Sequence, residues 1–513
     1  MSESLVFLRK SWALLALGAI MVLGGALRFY GLGIQSLWSD ELASWYFSRA
    51  DGVGQVVSNV REDIHPPGYF VILHLTQNVF GDSEWALRLP SAIAGWLCIP
   101  AIYLLGRRIY SQREGLIAAL LVAVSWAGIY FSQETRSYSV LILLSIVTAY
   151  LWWGVMRGLR EERILPTAET IAYIVVAILC AYVHYFGALL IALQGVALVV
   201  LAYRAFPKII LIYVPISLAY AAWLPGMAYQ MRNSTAQGAW IGEATLSVFP
   251  KYVLFIFGRS ELLALAAAAF TALLLVRAWS IFRGRREKGD GLVPPGLLLL
   301  AWFLGPFVVG YALSQSSVQL LTHKNLLVSL PAAYLLVARG MTAVLPGKTI
   351  GTVLQWSLAL GFAAACLFNL FATLGYYSEP NKEQIRAAAA FINENETPQT
   401  LLVRCDIDDR LDYYLNDRVP GVRRDADACT AEDFPVLMDR VEKDGYREVF
   451  YFMSHKQPTP ELVSRLKSEF DLVGYRPFYR TWVAVFRVDG EAGEAARDPS
   501  RAAGADPDRS ERG

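Results

Sequence analysis

The long apolar runs of this 513-residue chain hold almost no charge. Only 18% of its residues are charged, against about 25% in a usual soluble domain, and 55% are hydrophobic. That shortage excludes an ordinary soluble globular fold and points to a polytopic membrane protein. Acids and bases are scarce at mid-membrane depth, which argues against an ion-coupled transporter, whose mechanism needs them there. Net charge is only +2, so nothing electrostatic favours a nucleic-acid partner. Cysteine is sparse as well, with five residues and no metal-type spacing. Cys98, Cys180 and Cys366 lie in apolar runs and read as packing residues. Cys405 and Cys429 fall in a polar region, where an oxidising compartment would let them pair.

What is present is a series of apolar stretches long enough for a hydrocarbon core of about 30 Å. They run over approximately 11–30, 88–106, 114–131, 138–157, 167–183, 186–203, 208–226, 260–280, 293–313, 324–340 and 350–374. The first follows Arg9-Lys10 with no small-residue cleavage site, so it reads as an uncleaved span. The apolar segment from Pro66 to Phe80 is short and opens with Pro66-Pro67-Gly68, so it reads as interfacial. With that assignment the main basic clusters share one side: Arg9-Lys10, Arg107 to Arg113, Arg157 to Arg163, Arg204 to Lys208, Arg277 to Lys288, and Arg339 to Lys348. The positive-inside rule then gives eleven spans, a cytoplasmic N-terminus and a C-terminus outside.

Composition changes after Leu374. Residues 1–376 form the transmembrane domain, and 377–488 read as a small extracytoplasmic α/β domain. Its expected elements are helices at Lys382–Asn393, Ala431–Asp444 and Pro460–Phe470, and strands at Leu401–Cys405, Glu448–Met453 and Thr481–Val488. Residues 489–513 have almost nothing to bury and read as a disordered tail. The expected fold class is therefore an all-α polytopic membrane protein with a small C-terminal α/β domain.

Ionisable residues collect at the outer ends of the spans. The first outer loop, about 31–87, holds Asp40-Glu41 and then Asp63-Ile64-His65-Pro66-Pro67-Gly68-Tyr69. The second holds Glu134, Arg136 and Tyr138. An isolated acid pair is usually a solvated turn or a helix cap. A second acid–base cluster at the same membrane level favours a convergent pocket instead. A hydroxyl acceptor needs a base within hydrogen-bond reach, and a carboxylate with a like-charged neighbour at a membrane cavity suits that task. Asp40 fits the base, with Glu41 beside it sharing the role or holding structure. A phosphate leaving group is already a stable anion and needs positive partners, for which Arg136 and Lys324 are candidates. Three of the five histidines, His65, His184 and His323, fall at expected outer ends. With Asp63 they are a candidate set for zinc or another divalent ion, against the plainer reading of separate hydrogen-bonded interfacial residues.

The ordered set Trp38-x-Asp40-Glu41, His65-Pro66-Pro67-Gly68-Tyr69-Phe70, Arg88-Leu89-Pro90-Ser91 and Tyr130-Phe131-Ser132-Gln133-Glu134-x-Arg136-x-Tyr138 resembles the GT-C superfamily of membrane glycosyltransferases. The likeness is to the dolichyl-phosphate-mannose protein mannosyltransferase and aminoarabinose transferase group, glycosyltransferase family 39-like, over about residues 30–140. The local text Thr322-His323-Lys324-Asn325 departs from the Arg-Tyr that relatives often carry near the last outer loop. The resemblance implies a polyprenyl-phosphate sugar donor bound from the outer leaflet of a bacterial inner membrane. It implies an inverting transfer to an acceptor hydroxyl on protein, lipid or glycan, with Asp40 or Glu41 as the base. It adds Glu134, Tyr138, Arg88 and His65 to Arg136 and Lys324 as residues for donor phosphate or sugar. Two rivals stand beside it. A lipid-sugar transporter without chemistry is weakened by the charge-poor spans. A membrane scaffold gives no reason for acids, Arg and His to gather at one face.

Overall fold

The computed structural model describes residues 3–488, apart from 163–166, 238–243, 288–294, 316–318, 320, 344–348, 406–407, 416–422, 426–428, 431 and 455–458. The expected tail, 489–513, lies outside the described residues. The chain forms two compact units. One comprises residues to Gln35 and Ala43–Asn381, and the other comprises Ser36–Leu42 with the chain from Lys382 onward. A short piece of the first outer loop thus belongs to the second unit.

In the first unit, seven helices among the described residues are long and apolar enough to cross a membrane, or nine if each of two bent pairs is one span. Two shorter apolar helices, Thr167–Val183 and Tyr185–Leu201, occupy two more of the expected spans. Among the described residues, each of the eleven expected stretches is mostly helical. The Pro66–Phe80 segment forms the thirteen-residue helix Gly68–Phe80, which is not among the candidate spans.

The bent pairs show how irregular backbone survives in an apolar bundle. Helices Gln112–Ala123 and Trp126–Ser132 meet at 58°. Arg28, fully buried, donates to the carbonyls of Val122 and Ala123 at 2.8 Å each, groups that the break takes out of the helical ladder. Ser125 restarts the helix by accepting from the Gly128 N–H at 3.1 Å. Helices Val248–Ile256 and Glu261–Arg277 meet at 99°. There Gly258 and Arg259 both take left-handed conformations, at φ 71° and 59°, and Asn369 donates to the Gly258 carbonyl at 2.8 Å.

The second unit is a five-stranded sheet in the order β2-β1-β3-β5-β4, with β1 at Thr400–Cys405, β2 at Arg423–Asp425, β3 at Glu448–Ser454, β4 at Asp471–Phe478 and β5 at Thr481–Arg487. Strands β1, β2 and β3 are parallel, and β5 runs antiparallel between β3 and β4. Strands β1 and β3 are buried along nearly their whole length, as expected of strands covered on both faces. Leu437 and Val441 of helix Phe434–Asp444 and Leu462 and Leu466 of helix Pro460–Glu469 join Val403, Val449 and Phe486 in one core. On the other face Phe391, from helix Ile385–Asn395, stacks on Phe450 at 6.4 Å. The three expected strands and three expected helices are present. The first helix starts at Ile385 rather than Lys382, because Lys382 and Glu383 are turned toward Ser36–Leu42.

Cys405 and Cys429 form a disulfide across 24 residues, with Cα atoms 5.6 Å apart. Closing a loop of that size restricts the unfolded chain by about 3 kcal/mol. Replacing both cysteines by alanine is expected to lower the stability of the second unit by about that amount in a denaturant titration of the full chain.

Candidate active site

The acid pair begins the helix Ser39–Ser48. The Trp38 carbonyl accepts from the Glu41 and Leu42 N–H groups at 2.9 Å each, so Trp38 is the residue that caps this helix. An indole cannot satisfy the freed N–H groups of the first turn, and two carboxylates do so instead. Glu41 accepts from the Trp38 N–H at 3.4 Å, the reach-back of a capping box. Glu383 Oε2 accepts from the Ser39 N–H at 3.2 Å and from the Ser39 hydroxyl at 2.8 Å.

The two acids of the pair therefore differ. Glu41 is 0% exposed, and its Oε2 lies 3.1 Å from Lys382 Nζ, itself nearly buried. Asp40 is partly exposed. The expected like-charge effect of Glu41 on Asp40 is corrected by this geometry, because Glu41 is half of a buried ion pair.

In the first unit a second polar group assembles from four places in the chain. Asp63 Oδ2 accepts from His65 Nδ1 at 3.0 Å and from the His65 N–H at 3.2 Å. Arg136 donates through Nη1 to the Ser44 hydroxyl at 3.2 Å, and its Nη2 lies 3.4 and 3.5 Å from the two ring nitrogens of His65. His184 stacks edge-on against His65 at 5.3 Å between centroids and tilts against Tyr138 at 5.8 Å. Burial opposes the charge on Asp63, but His65, Arg136 and a backbone hydrogen bond outweigh it, so its carboxyl sits below the usual range. Burial first, then the His65 and Arg136 charges, hold His184 well below the usual imidazole value.

Two devices hold this group in place. Gln230 donates to the carbonyls of Val60 at 2.7 Å and His65 at 2.9 Å, while its own oxygen accepts from the Tyr185 hydroxyl. Gly68 lets the Pro-Pro-Gly segment dock on the end of helix Thr167–Val183. A Cβ there would stand 2.6 Å from the Tyr182 carbonyl oxygen. Sequence reasoning did not single out Ser44 or Tyr185. No local motif marks contacts that span such separations.

The other expected residues fall as follows. Arg88, 1% exposed, donates to the carbonyls of Leu32 at 2.8 Å and Gln35 at 2.7 Å and braces the chain leaving the first span. Glu134 is fully buried. Lys324 stands at the start of the turn Asn325–Ser329. His323 lies against Phe255 at 4.7 Å, and burial followed by the charges of Lys324, Arg259 and Lys251 lowers its pKa to about 4. Lys324, Arg259 and Lys251 therefore make a positive neighbourhood around His323, and the sequence reading had missed Arg259 and Lys251 as members of it.

The candidate metal set is corrected. His323 sits among cations rather than with the other three residues, and Arg136 lies against the ring nitrogens of His65. Among the described residues, no three His, Cys, Asp or Glu side chains form a group that could hold a metal ion.

With this geometry established, comparison with known proteins adds three findings. Residues 64–229 match the family model described as dolichyl-phosphate-mannose-protein mannosyltransferase. By sequence alone, no curated protein matches the chain. In structure, the chain is similar to ArnT from Cupriavidus metallidurans, both apo and bound to undecaprenyl phosphate. The TM-scores are 0.56 and 0.58 at 15% identity, over 93% of this chain and 98% of that one. It is also similar to the Archaeoglobus fulgidus oligosaccharyltransferase tethered with an acceptor peptide, with a TM-score of 0.52 at 13% identity, over 87% of this chain and 69% of that one. The chain shares its fold with these ArnT and oligosaccharyltransferase structures. The resemblance expected from the outer loops is thus met in the fold and in a matching segment that contains His65, Arg88, Glu134 and Arg136.

Two outcomes follow from the site. Gly68→Ala is expected to cost about 1–3 kcal/mol, read as a lower Tm in detergent, because the Tyr182 backbone cannot yield cheaply. His184 and His323 stay neutral when folded but take up protons when unfolded below about pH 6.5. Their depressed values therefore make stability fall as pH drops from about 6.5 toward 4, and Tm measured across that range is expected to decline. His323→Asn, which does not titrate, should flatten part of that decline.

Proposed function

We propose that this protein is an inverting glycosyltransferase that moves a sugar from a polyprenyl-phosphate donor to an acceptor hydroxyl at the outer face of the membrane. The observation that carries this reading is the inequality of the acid pair. Within a GT-C fold, Glu41 is committed to Lys382 and to the helix cap, and Asp40 stays partly exposed as a carboxylate able to take a proton. Asp40 removes the acceptor's hydroxyl proton as that oxygen bonds to the anomeric carbon. The bond from that carbon to the phosphate oxygen breaks on the opposite face, and polyprenyl phosphate departs as a stable anion.

The cationic neighbourhood of Lys324, Arg259 and Lys251 supplies charge for the phosphate. Arg136, fixed by Ser44 and next to His65, serves the donor with Glu134, Tyr138 and His65. The donor class is supported by the similar ArnT structure that holds undecaprenyl phosphate. An inner-membrane placement with the N-terminus cytoplasmic and the second unit outside is supported by the basic loops and by the Cys405–Cys429 disulfide.

The test is reconstitution of the purified chain in proteoliposomes with labelled undecaprenyl-phosphate sugars and an acceptor extract. Asp40→Asn is expected to lower transfer about 10²–10⁴-fold with donor binding retained. Glu41→Gln is expected to act chiefly on stability, by about 3 kcal/mol or more, because it strands a buried Lys382 charge. Full transfer by Asp40→Asn would remove Asp40 from the chemistry. Donor movement across the bilayer without transfer would replace the enzyme with a transporter.

A further inference from the structure

The residues Ser36–Leu42 fold with the C-terminal unit. What that unit invests in them is unusual for a surface contact. Lys382 is 5% exposed, Glu383 1% and Glu41 0%, so three ionisable side chains are withdrawn from water within one small region. Burial of that kind is costly unless every charge is matched. Here several of the matches fall on the stretch Ser36–Leu42. Lys382 Nζ pairs with Glu41 at 3.1 Å. Glu383 Oε2 takes the N–H and hydroxyl of Ser39 and also the hydroxyl of Ser454, at 2.9 Å from the end of β3. The Glu383 carbonyl accepts from the Ser36 hydroxyl, and the Tyr414 hydroxyl accepts from the Leu37 N–H at 2.6 Å. Residues 36, 37, 39 and 41 are each held, and Asp40 lies among them.

A clamp this dense exceeds what anchoring a loop requires, since one or two backbone bonds would do that. It fixes the direction of the first helical turn. We infer that Lys382 and Glu383 are positioning residues of the transfer reaction: the C-terminal unit sets the placement of Asp40 through a buried Glu41–Lys382 pair and a Glu383 helix cap. This rests on the reading of Asp40 as the base. The unit is then a working part of the transferase. Charge balance in the clamp matters more than either charge alone, because a neutral pair of similar size satisfies the same space.

The test uses the full chain in detergent and in proteoliposomes. Hydrogen–deuterium exchange over residues 36–42 needs no substrate. Lys382→Met is expected to speed it on the order of tenfold, and Lys382→Met/Glu41→Gln to restore it. In transfer assays with labelled undecaprenyl-phosphate sugars, Lys382→Met is expected to lower kcat per folded protein on the order of 10²-fold with donor KM unchanged. The neutral double variant is expected to recover most of that loss. Glu383→Gln offers a second route should Lys382→Met fold poorly, with the same opening of 36–42 and the same fall in kcat. Unchanged exchange with full kcat in both single variants would overturn the inference. So would a double variant no better than Lys382→Met, or a loss of Tm alone at constant kcat. Failure of the base assignment is separate: it shows as transfer surviving Asp40→Asn, whereas failure of the clamp shows as transfer abolished by Asp40→Asn but intact in Lys382→Met.

Discussion

A buried ion pair, Glu41 with Lys382, fixes the start of the helix on which the proposed chemistry depends. Such a pair is a poor source of net stability, because both ions are taken out of water. Its worth is discrimination. With Lys382 present, Glu41 has one low-energy place to be, and the Trp38 N–H meets it there. Glu383 adds the same constraint from its side by accepting from Ser39 and Ser454. The result is an acid pair in which one carboxylate is buried in an ion pair and its neighbour, the proposed base, stays partly exposed.

The helical unit follows the same logic. At four places where a span breaks or a loop turns back, a side chain reaches backbone carbonyls. Arg28 does so for the Val122–Ala123 break, Arg88 for Leu32 and Gln35, Gln230 for Val60 and His65, and Asn369 for Gly258. In an apolar medium no water would satisfy those groups, so each irregular turn requires a dedicated polar partner. The histidine–arginine cluster is reached through these same turns. Gly68 brings its segment against the Tyr182 backbone, and Gln230 ties that segment to Tyr185.

Much of this was legible in the sequence because it is carried by patterns of short range. Apolar run length marked the spans, and the shortness of Pro66–Phe80 separated it from them. Period-two and helical patterns marked β1, β3, β5 and three helices of the second unit. Strand β4 escaped because Gly474 and Pro477 interrupt it and its side chains are mostly exposed, which suits an edge strand and erases alternation. Strand β2 is three polar residues long and carries no signal of its own. The acid pair and Arg136 were found by motif, but the pairing of Glu41 with Lys382 joins residues 341 positions apart and leaves no local trace. The metal set failed for a related reason: similar membrane depth did not bring His323 to His65, and its neighbours proved to be Lys324, Arg259 and Lys251.

The central claim is a single displacement with one carboxylate base and no covalent sugar–enzyme intermediate. The most direct measurement is the anomeric configuration of the transferred sugar, read by NMR on product made from a donor of known configuration. The account predicts the opposite configuration in the product. Retention of the donor's configuration would contradict it, because retention requires a second displacement and a nucleophile that Asp40 as base does not provide.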